Sequence, residues 1–194
     1  SRISLAIAFL IFTISTPATA TVRYVDANLA GNCTANYSIA ARNCTAGDGN
    51  AYTGANLLTA VKAMVAGDTT YFRAGTYANS DGTTALIDWN NTLPSGTPSA
   101  KITISAYNGE TVILSTVNKT NGAFNLYGQT DWDIIGITID GNTTHGGYGI
   151  DNTTRIRFIS GEIRNIHGDC SYVAGTSNEI TNSLIHGCTG DAGL

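Results

Sequence analysis

A repeat in the second half of the chain constrains the fold more than any other feature. Three segments align without gaps, at residues 134–140, 159–165 and 180–186, with offsets of 25 and 21 residues. In this alignment, the alternate positions that begin at Ile134, Ile159 and Ile180 are small or apolar, whereas the positions between them admit charge. Alternation with a period of two predicts strands that bury one face.

A second apolar column follows the first. Ile150, Val173 and Leu194 each come after a turn that contains Gly or Asp. Each unit therefore holds at least two short strands, and such a unit buries its apolar face only by stacking on its neighbours. Stacking at about 4.8 Å per coil makes parallel sheets along a solenoid. Because the pattern stops at Leu194 without a polar cap, we expect the natural protein to continue beyond it.

The composition agrees with an all-β solenoid. The chain of 194 residues contains 22 Gly, 28 Thr and 18 Asn, and its charged fraction is 12%. Gly, Asn and Thr favour strands joined by tight turns, and this composition argues against helix bundles. The net charge is −4 and no basic stripe occurs, so no nucleic-acid partner is expected.

The N-terminus has the pattern of a secretory signal. An apolar run from Ile3 to Ile14 follows Arg2, and the small residues 17–20 provide a cleavage site after Ala20. The apolar run has about 12 residues, fewer than the roughly 20 that span a bilayer. We therefore predict a signal peptide at residues 1–20 and a secreted protein, extracellular or periplasmic, with no membrane span after cleavage.

The cysteines of an exported protein are expected to form disulfides. The four cysteines allow three pairings, of which Cys33–Cys44 and Cys170–Cys188 are the local ones. Zinc is the rival interpretation, but no C-x-x-C motif occurs. We favour disulfides.

The region before the repeats is predicted to cover one end of the solenoid. Residues 55–66 place Leu57, Leu58, Val61, Met64 and Val65 at helical spacing, and Gly67 ends the run. Short strands are predicted around residues 69–73, 101–106 and 111–115. We divide the chain into the signal at 1–20, the cap and first strands at 21–100, and the coils at 101–194.

Two segments resemble a known group of proteins. Residues 67–77 (GDTTYFRAGTY), after the helix and after Tyr24-Val25-Asp26, resemble the opening segment of secreted right-handed parallel β-helix proteins of the pectate-lyase-like superfamily. Residues 101–113 (KITISAYNGETVI) are similar to an early coil of these proteins. The resemblance implies a right-handed parallel β-helix with a short N-terminal amphipathic helix, in a superfamily with many polysaccharide lyases and glycosidases.

This resemblance also directs the search for chemistry. Lyases of this fold bind an acidic sugar chain along one parallel sheet, and they need a cation or a basic side chain, together with a base. The outward column offers Glu162 and Arg164, with Thr181 and Ser183 one coil later as substrate-binding candidates. An exposed ion pair worth about 0.2–1 kcal/mol is the alternative for the charged residues.

Turn residues provide the other catalytic candidates. His167 and Asp169 lie in one turn, and His186 and Asp191 follow in the next. An imidazole is a suitable general base, and paired carboxylates are what a glycosidase uses. The alternative is that Gly, Asp and His serve only to form the bend. The alignment also stacks Asp140, Asn165 and His186, either as a polar cluster for a metal or hydroxyl, or as a ladder that satisfies backbone groups.

Two functions follow from these observations. The first is a β-helix protein that binds or degrades polysaccharide, as a lyase or a glycosidase. The second is a non-catalytic surface or adhesion module. We expect a monomer whose partner is a polysaccharide, of the acidic kind if the lyase resemblance holds. No metal site is predicted from the residues, and calcium is the one cofactor that the resemblance suggests.

Overall fold

The computed structural model describes residues 19–78, 85–117, 119–141 and 147–190. The predicted signal therefore lies almost entirely outside the described residues, as do His145, Asp191 and Leu194. One α-helix, α1, spans Leu57–Lys62. The strands, in chain order, are β1 Val22–Asp26, β2 Cys33–Tyr37, β3 Gly49–Thr53, β4 Thr69–Phe72, β5 Gly75–Tyr77, β6 Ile87–Asp88, β7 Ile102–Ala106, β8 Val112–Ser115, β9 Phe124–Tyr127, β10 Thr130–Ile135, β11 Ile137–Asp140, β12 Tyr148–Ile159, β13 Glu162–Arg164, β14 Ser171–Thr176, β15 Glu179–Thr181 and β16 Leu184–His186.

These strands wind into a parallel β-helix with three sheets. The first sheet pairs β1, β4, β7, β10, the second half of β12 and β15. The second sheet pairs β5, β8, β11, β13 and β16. The third sheet pairs β6, β9, the first half of β12 and β14. All of these pairs are parallel, which confirms the predicted right-handed parallel β-helix.

Inward side chains stack from coil to coil in one continuous core. In the first sheet, Ile104, Ile134, Phe158 and Ile180 are successive register partners. In the second sheet, the corresponding stack is Tyr77, Leu114, Ile139, Ile163 and Ile185. In the third sheet, Leu126, Ile150 and Val173 stack, so the predicted pairing of Ile150 with Val173 is confirmed.

The register of the repeat differs from the predicted alignment by one residue. Ile134 pairs with Phe158, and Ile159 pairs outside the core with Ile135. Since successive strand residues face opposite sides, Phe158 faces the core in place of the predicted Ile159. Beyond the corner, Ile139 points inward and Thr138 outward, the reverse of the prediction, whereas Ile163 points inward and Glu162 outward as predicted.

The corner between the first and second sheets accounts for this shift. Gly136, Ser160 and Asn182 occupy equivalent corner positions, and each has a positive φ, at 68°, 53° and 49°. Gly161, which the predicted alignment matched with Gly136, is one residue beyond this corner and faces the ring of Phe158. Asn182 donates a hydrogen bond from Nδ2 to Ser160 Oγ at 2.9 Å. Polar residues at the corner thus satisfy one another from coil to coil.

The helix covers the core as predicted but is shorter than predicted. Helix α1 ends at Lys62 instead of continuing to residue 66. Leu57 and Val61 in the helix are buried, and so is Met64 just after it, whereas Val65 is exposed. In the following turn, the carboxylate of Asp68 accepts a hydrogen bond from the Val65 N–H at 2.9 Å.

Two disulfides hold the chain at opposite ends of the described coils. Cys33 is bonded to Cys44, and Cys170 to Cys188, so the local pairing is the one formed. The first disulfide ties the irregular segment between β2 and β3. The second joins the turn before β14 to the segment after β16, and so links two successive coils.

A network of charged groups fastens the N-terminal cap to the coils. The buried carboxylate of Asp26 accepts hydrogen bonds from Tyr37 Oη at 2.7 Å and from Arg42 Nε and Nη2 at 2.9 and 2.6 Å. Arg73 donates to Tyr37 Oη at 2.9 Å and pairs with Glu110, with Nη2 and Oε1 separated by 2.7 Å. This network connects β1, β2 and the segments after β4 and β7.

Acid is expected to weaken this network. Burial acts to raise the pKa of the Asp26 carboxyl, but hydrogen bonds from Arg42, Asn28 and Tyr37 outweigh it and hold that pKa below its ordinary value. Hydrogen bonds from Arg73 likewise lower the pKa of Glu110. The folded state therefore binds fewer protons than the unfolded state, and its stability falls as the pH drops below about 4. The free energies of urea unfolding at pH 7 and at pH 3 measure this loss. The difference between the two free energies is expected to be smaller in Asp26→Asn, which has no carboxylate at that position to protonate.

Candidate functional site

The outer face of the third sheet carries exposed aromatic side chains. Trp89 and Tyr127 are 42% and 47% exposed, and their ring centroids lie 5.4 Å apart. Tyr172, on the same face in β14, is 55% exposed. Because solvent-exposed aromatic groups with partners of this kind are typical of binding surfaces, this face is a candidate site. We call Trp89, Tyr127, Asn125, Gly149 and Tyr172 the aromatic face.

Local structure holds Trp89 beside Tyr127. Trp89 begins a 3-10 turn that directly follows β6. The side chain of Asp88 caps this turn, since its Oδ1 accepts hydrogen bonds from Asn90 N and Nδ2, both at 3.0 Å. Tyr127 ends β9, where the alternation that buries Phe124 and Leu126 turns its ring outward. A strand end and a capped turn therefore bring the two rings together.

A cleft on this sheet shares Asn125, Gly149 and Tyr172 with the aromatic face. Its volume is about 330 Å³, and its polar lining includes Asn121, Asn125, His167 and Asp169, with Tyr172 as one wall. It lies where the chain enters the strands of the third sheet.

Gly149 forms the floor of the cleft. It pairs with Asn125 on one side and with Tyr172 on the other. A Cβ at Gly149 would lie 3.6 Å from Phe124 O and 3.8 Å from Asn125 Oδ1, which are ordinary contact distances. The missing side chain therefore leaves a gap between Asn125 and Tyr172 that a ligand can enter.

The structure brings two of the predicted catalytic residues together in this cleft. His167 and Asp169 both belong to its lining, in the turn that precedes β14. Asp191 lies outside the described residues. The disulfide at Cys170 directly follows Asp169, and the main chain of this turn contacts the next coil through the bond from Gly190 N to Gly168 O at 3.0 Å.

Three other predicted catalytic residues, Glu162, Arg164 and His186, form an ion network with Asp140 on the second sheet. Arg164 pairs with Asp140 at 2.9 Å and with Glu162 at 3.1 Å. His186 Nε2 lies 2.9 Å from Glu162 Oε1. The hydrogen bond with His186, followed by the charge of Arg164, lowers the pKa of Glu162. These groups satisfy one another, as the ion-pair alternative predicts.

The predicted ladder of Asp140, Asn165 and His186 needs one correction. The register partner of Asp140 is Arg164, and that of Arg164 is His186. Asn165 lies one position later at a corner with φ of 55°, and its Nδ2 donates to Asp140 Oδ1 at 3.2 Å. Asn165 thus contributes to the ladder from the turn.

Thr181 and Ser183 do not follow Glu162 and Arg164 in the stack. The residues that occupy those positions one coil later are Leu184 and His186. Thr181 ends β15, and Ser183 Oγ donates to Thr181 O at 2.8 Å and accepts from Gly161 N at 3.1 Å. Both residues lie at the corner between the first and second sheets, away from the cleft. Their role in substrate binding stays a prediction.

Arginine side chains in the described part of the chain are all paired with carboxylates. On the first sheet, Asp133 lies between Lys101, at 3.2 Å, and Arg157. Arg155 pairs with Asp131 at 2.6 Å. The remaining described arginines pair with Asp26, Asp68, Glu110 and Asp140.

No group of three or more His, Cys, Asp or Glu is placed to hold a metal ion within the described ranges. Calcium therefore stays a prediction from the resemblance. None of the helices among these residues is long and apolar enough to cross a membrane.

Sequence reasoning missed the aromatic face. The alternation of the strand was the available signal, because neighbouring residues of a strand face opposite sides. Tyr127 directly follows buried Leu126 and therefore faces outward. Tyr172 was within reach by the same argument, since it directly precedes Val173 in the predicted apolar column. Trp89 follows a strand of only two residues, which carries too little pattern to assign a face.

The comparisons with known proteins bear on the fold. No protein-family model matches the sequence, and no curated protein matches it significantly. Among solved structures, a rhamnogalacturonan lyase aligns with a TM-score of 0.51 and 13% identity over 87% of this chain and 56% of that chain. Pectate lyase Pel9A aligns with a TM-score of 0.46 and 16% identity over 86% of this chain and 48% of that chain. This chain thus spans about half the length of each. The likeness to the rhamnogalacturonan lyase is one of fold, and it agrees with the parallel β-helix that the strand pairing shows.

Proposed function

We propose that this protein is an exported β-helix protein that binds polysaccharide on the aromatic face of its third sheet. The observation that carries the proposal is the exposed pair of Trp89 and Tyr127 on the face that also carries the cleft. One face of a sugar ring presents C–H groups, which pack against the electron-rich face of an aromatic ring. The sugar hydroxyls then pair with amide groups such as that of Asn125.

The spacing of the aromatic residues favours a chain of sugars over a single sugar. Tyr127 belongs to the coil before Gly149, and Tyr172 to the coil after it. The strands of Tyr127 and Tyr172 are two coil steps apart, about 10 Å along the axis, which is roughly the length of two linked sugar rings. A polysaccharide that crosses the sheet would thus contact both aromatic positions while passing over Gly149.

Two features support export. Residues 1–20 have the pattern of a signal peptide, and both disulfides are of a kind that persists in oxidising compartments. We therefore place the protein outside the cytoplasm, as a monomer that meets its polysaccharide there.

Replacing either of the paired rings is expected to weaken binding. Tyr127→Ala and Trp89→Ala should each weaken retention in affinity gels that contain a bound polysaccharide by about tenfold or more, as for residues at the centre of an interface. Leu184→Ala is the matched control, because Leu184 is 58% exposed on the second sheet and lies away from the aromatic face. Equal retention of all three variants and the parent across a panel of neutral and acidic polysaccharides contradicts the proposal.

Polysaccharide cleavage is the second candidate function, and the presence of His167 and Asp169 in one cleft favours it. A lyase would release unsaturated products that absorb in the ultraviolet, and a glycosidase would release new reducing ends. Asp169→Asn should then remove product formation while Tyr127→Ala lowers it through binding. Binding without either product leaves the non-catalytic function standing.

A further inference from the structure

The charges around the cleft bear on which sugars it accepts. We propose, on the basis of the proposed function, that the cleft and its aromatic face select uncharged sugar rings and reject uronates.

The described lining of the cleft contains a carboxylate and no lysine or arginine side chain. Asp169 is its acidic residue and His167 its imidazole, and neither Lys nor Arg occurs among the lining residues that the structure describes. Asp151 is exposed on the outer face of the third sheet, is the register partner of Tyr127 and adds a second carboxylate. A uronate that crosses this face would therefore pass two groups of its own charge.

Cations in neighbouring parts of the chain do not offset these carboxylates. Lys119 precedes the lining residue Thr120 but is only 2% exposed, so its ammonium group is not presented to a ligand. Arg155 is held by Asp131 through two hydrogen bonds, at 2.6 and 2.8 Å. Arg164 is held by Asp140 and Glu162 on the second sheet. An arriving uronate would have to displace a carboxylate to recruit either guanidinium.

The remaining surface suits a neutral ring. The aromatic rings supply apolar contact, Asn121 and Asn125 supply amide groups, and Gly149 supplies room. An uncharged sugar ring can pack against these aromatic rings and form hydrogen bonds to these amides with its hydroxyls. The cleft then selects neutral sugars both because Asp169 and Asp151 repel the carboxylates of acidic sugars and because its other groups attract neutral rings.

A pair of polymers with the same backbone tests this selectivity. Homogalacturonan with free carboxylates and homogalacturonan with methyl-esterified carboxylates share one sugar chain, and each ester replaces a negative charge with a neutral methyl ester; the salt dependence and the aspartate variants below isolate the contribution of charge. At pH 7.5 and low salt, calorimetry should give at least tenfold tighter binding of the esterified polymer. In 1 M salt the preference should shrink, because the Debye length falls to about 3 Å. Asp169→Asn and Asp151→Asn should each reduce the preference, whereas Asp48→Asn, exposed in the cap, should leave it unchanged.

The outcomes separate this inference from the proposed function. Equal or tighter binding of the free acid, with binding still lost in Tyr127→Ala, overturns the selectivity and keeps the binding face. A preference for the ester that persists unchanged in both aspartate variants overturns the charge argument. If neither polymer nor any neutral polysaccharide binds, the proposed function itself fails. Gly149→Val provides a further readout, because filling the gap should weaken binding of the ester while the unfolding transition stays unchanged.

Discussion

Phe158→Ala is expected to lower the free energy of unfolding by about 3–5 kcal/mol, as removal of a fully buried aromatic side chain does. Phe158 has no exposed surface and lies in the central stack of the first sheet, between Ile134 and Ile180. Its ring also packs against Tyr148, with the centroids 5.2 Å apart. Since the core of a solenoid is continuous, the cavity would loosen contacts in three successive coils.

Ile159→Ala is the control for this variant. Ile159 is the next residue in the strand and lies on the half-buried outer face, so its truncation should cost no more than about 1 kcal/mol. The order of the two effects reports the register directly. If Ile159→Ala proves the more damaging in urea unfolding, Ile159 and not Phe158 faces the core, and the described register is wrong.

Asp26→Ala is expected to be as damaging, at about 3–5 kcal/mol, because it removes one partner of a buried ion pair. The carboxylate of Asp26 is fully buried, and it receives two hydrogen bonds from Arg42 and one from the Tyr37 hydroxyl. Without it, Arg42 loses its bidentate partner and the buried hydroxyl loses its acceptor.

Asp48→Ala is the matched control, since Asp48 is an exposed aspartate of the same cap and should cost less than about 0.5 kcal/mol. Asp26→Asn keeps the shape of the side chain but loses the charge, so it should also destabilise the protein. Chemical unfolding of the three variants measures these effects. A cost for Asp26→Ala as small as that for Asp48→Ala would show that the network contributes little to the attachment of the cap.

The fold was predictable because two local signals agreed. Alternation of apolar residues marked the strands, and Gly, Asn and Asp indicated the turns between them. The register was not fixed by these signals. Isoleucine occurs on both faces of β10 and β12, so Ile135 and Ile159 looked as suitable for the core as Ile134 and Phe158. The position of the corner sets the register. At that corner Ser160 adopts a positive φ, which is uncommon for serine and which the sequence therefore did not indicate.

The candidate site was predictable only in part. His167 and Asp169 stood out because histidine and aspartate in a turn suggest chemistry, and both do line the cleft. Glu162 and Arg164 were correctly placed on an outer face, but their partners come from coils on either side. Which charges neutralise each other depends on register, and a one-residue error is enough to hide it. The exposure of Trp89 depends on a turn capped by Asp88, a contact that composition and periodicity do not reveal.

The disulfide between Cys170 and Cys188 has a mechanical consequence. Parallel coils that are pulled apart from one end separate one at a time, because each is held only by its neighbours. The covalent bond joins the fifth and sixth described coils, so tension that arrives beyond Cys188 passes straight to Cys170. The intervening strands β14, β15 and β16 carry no load, and the wall of the cleft at Tyr172 keeps its shape. A protein that grips a long polymer under shear would retain its grip for as long as this bond stays oxidised.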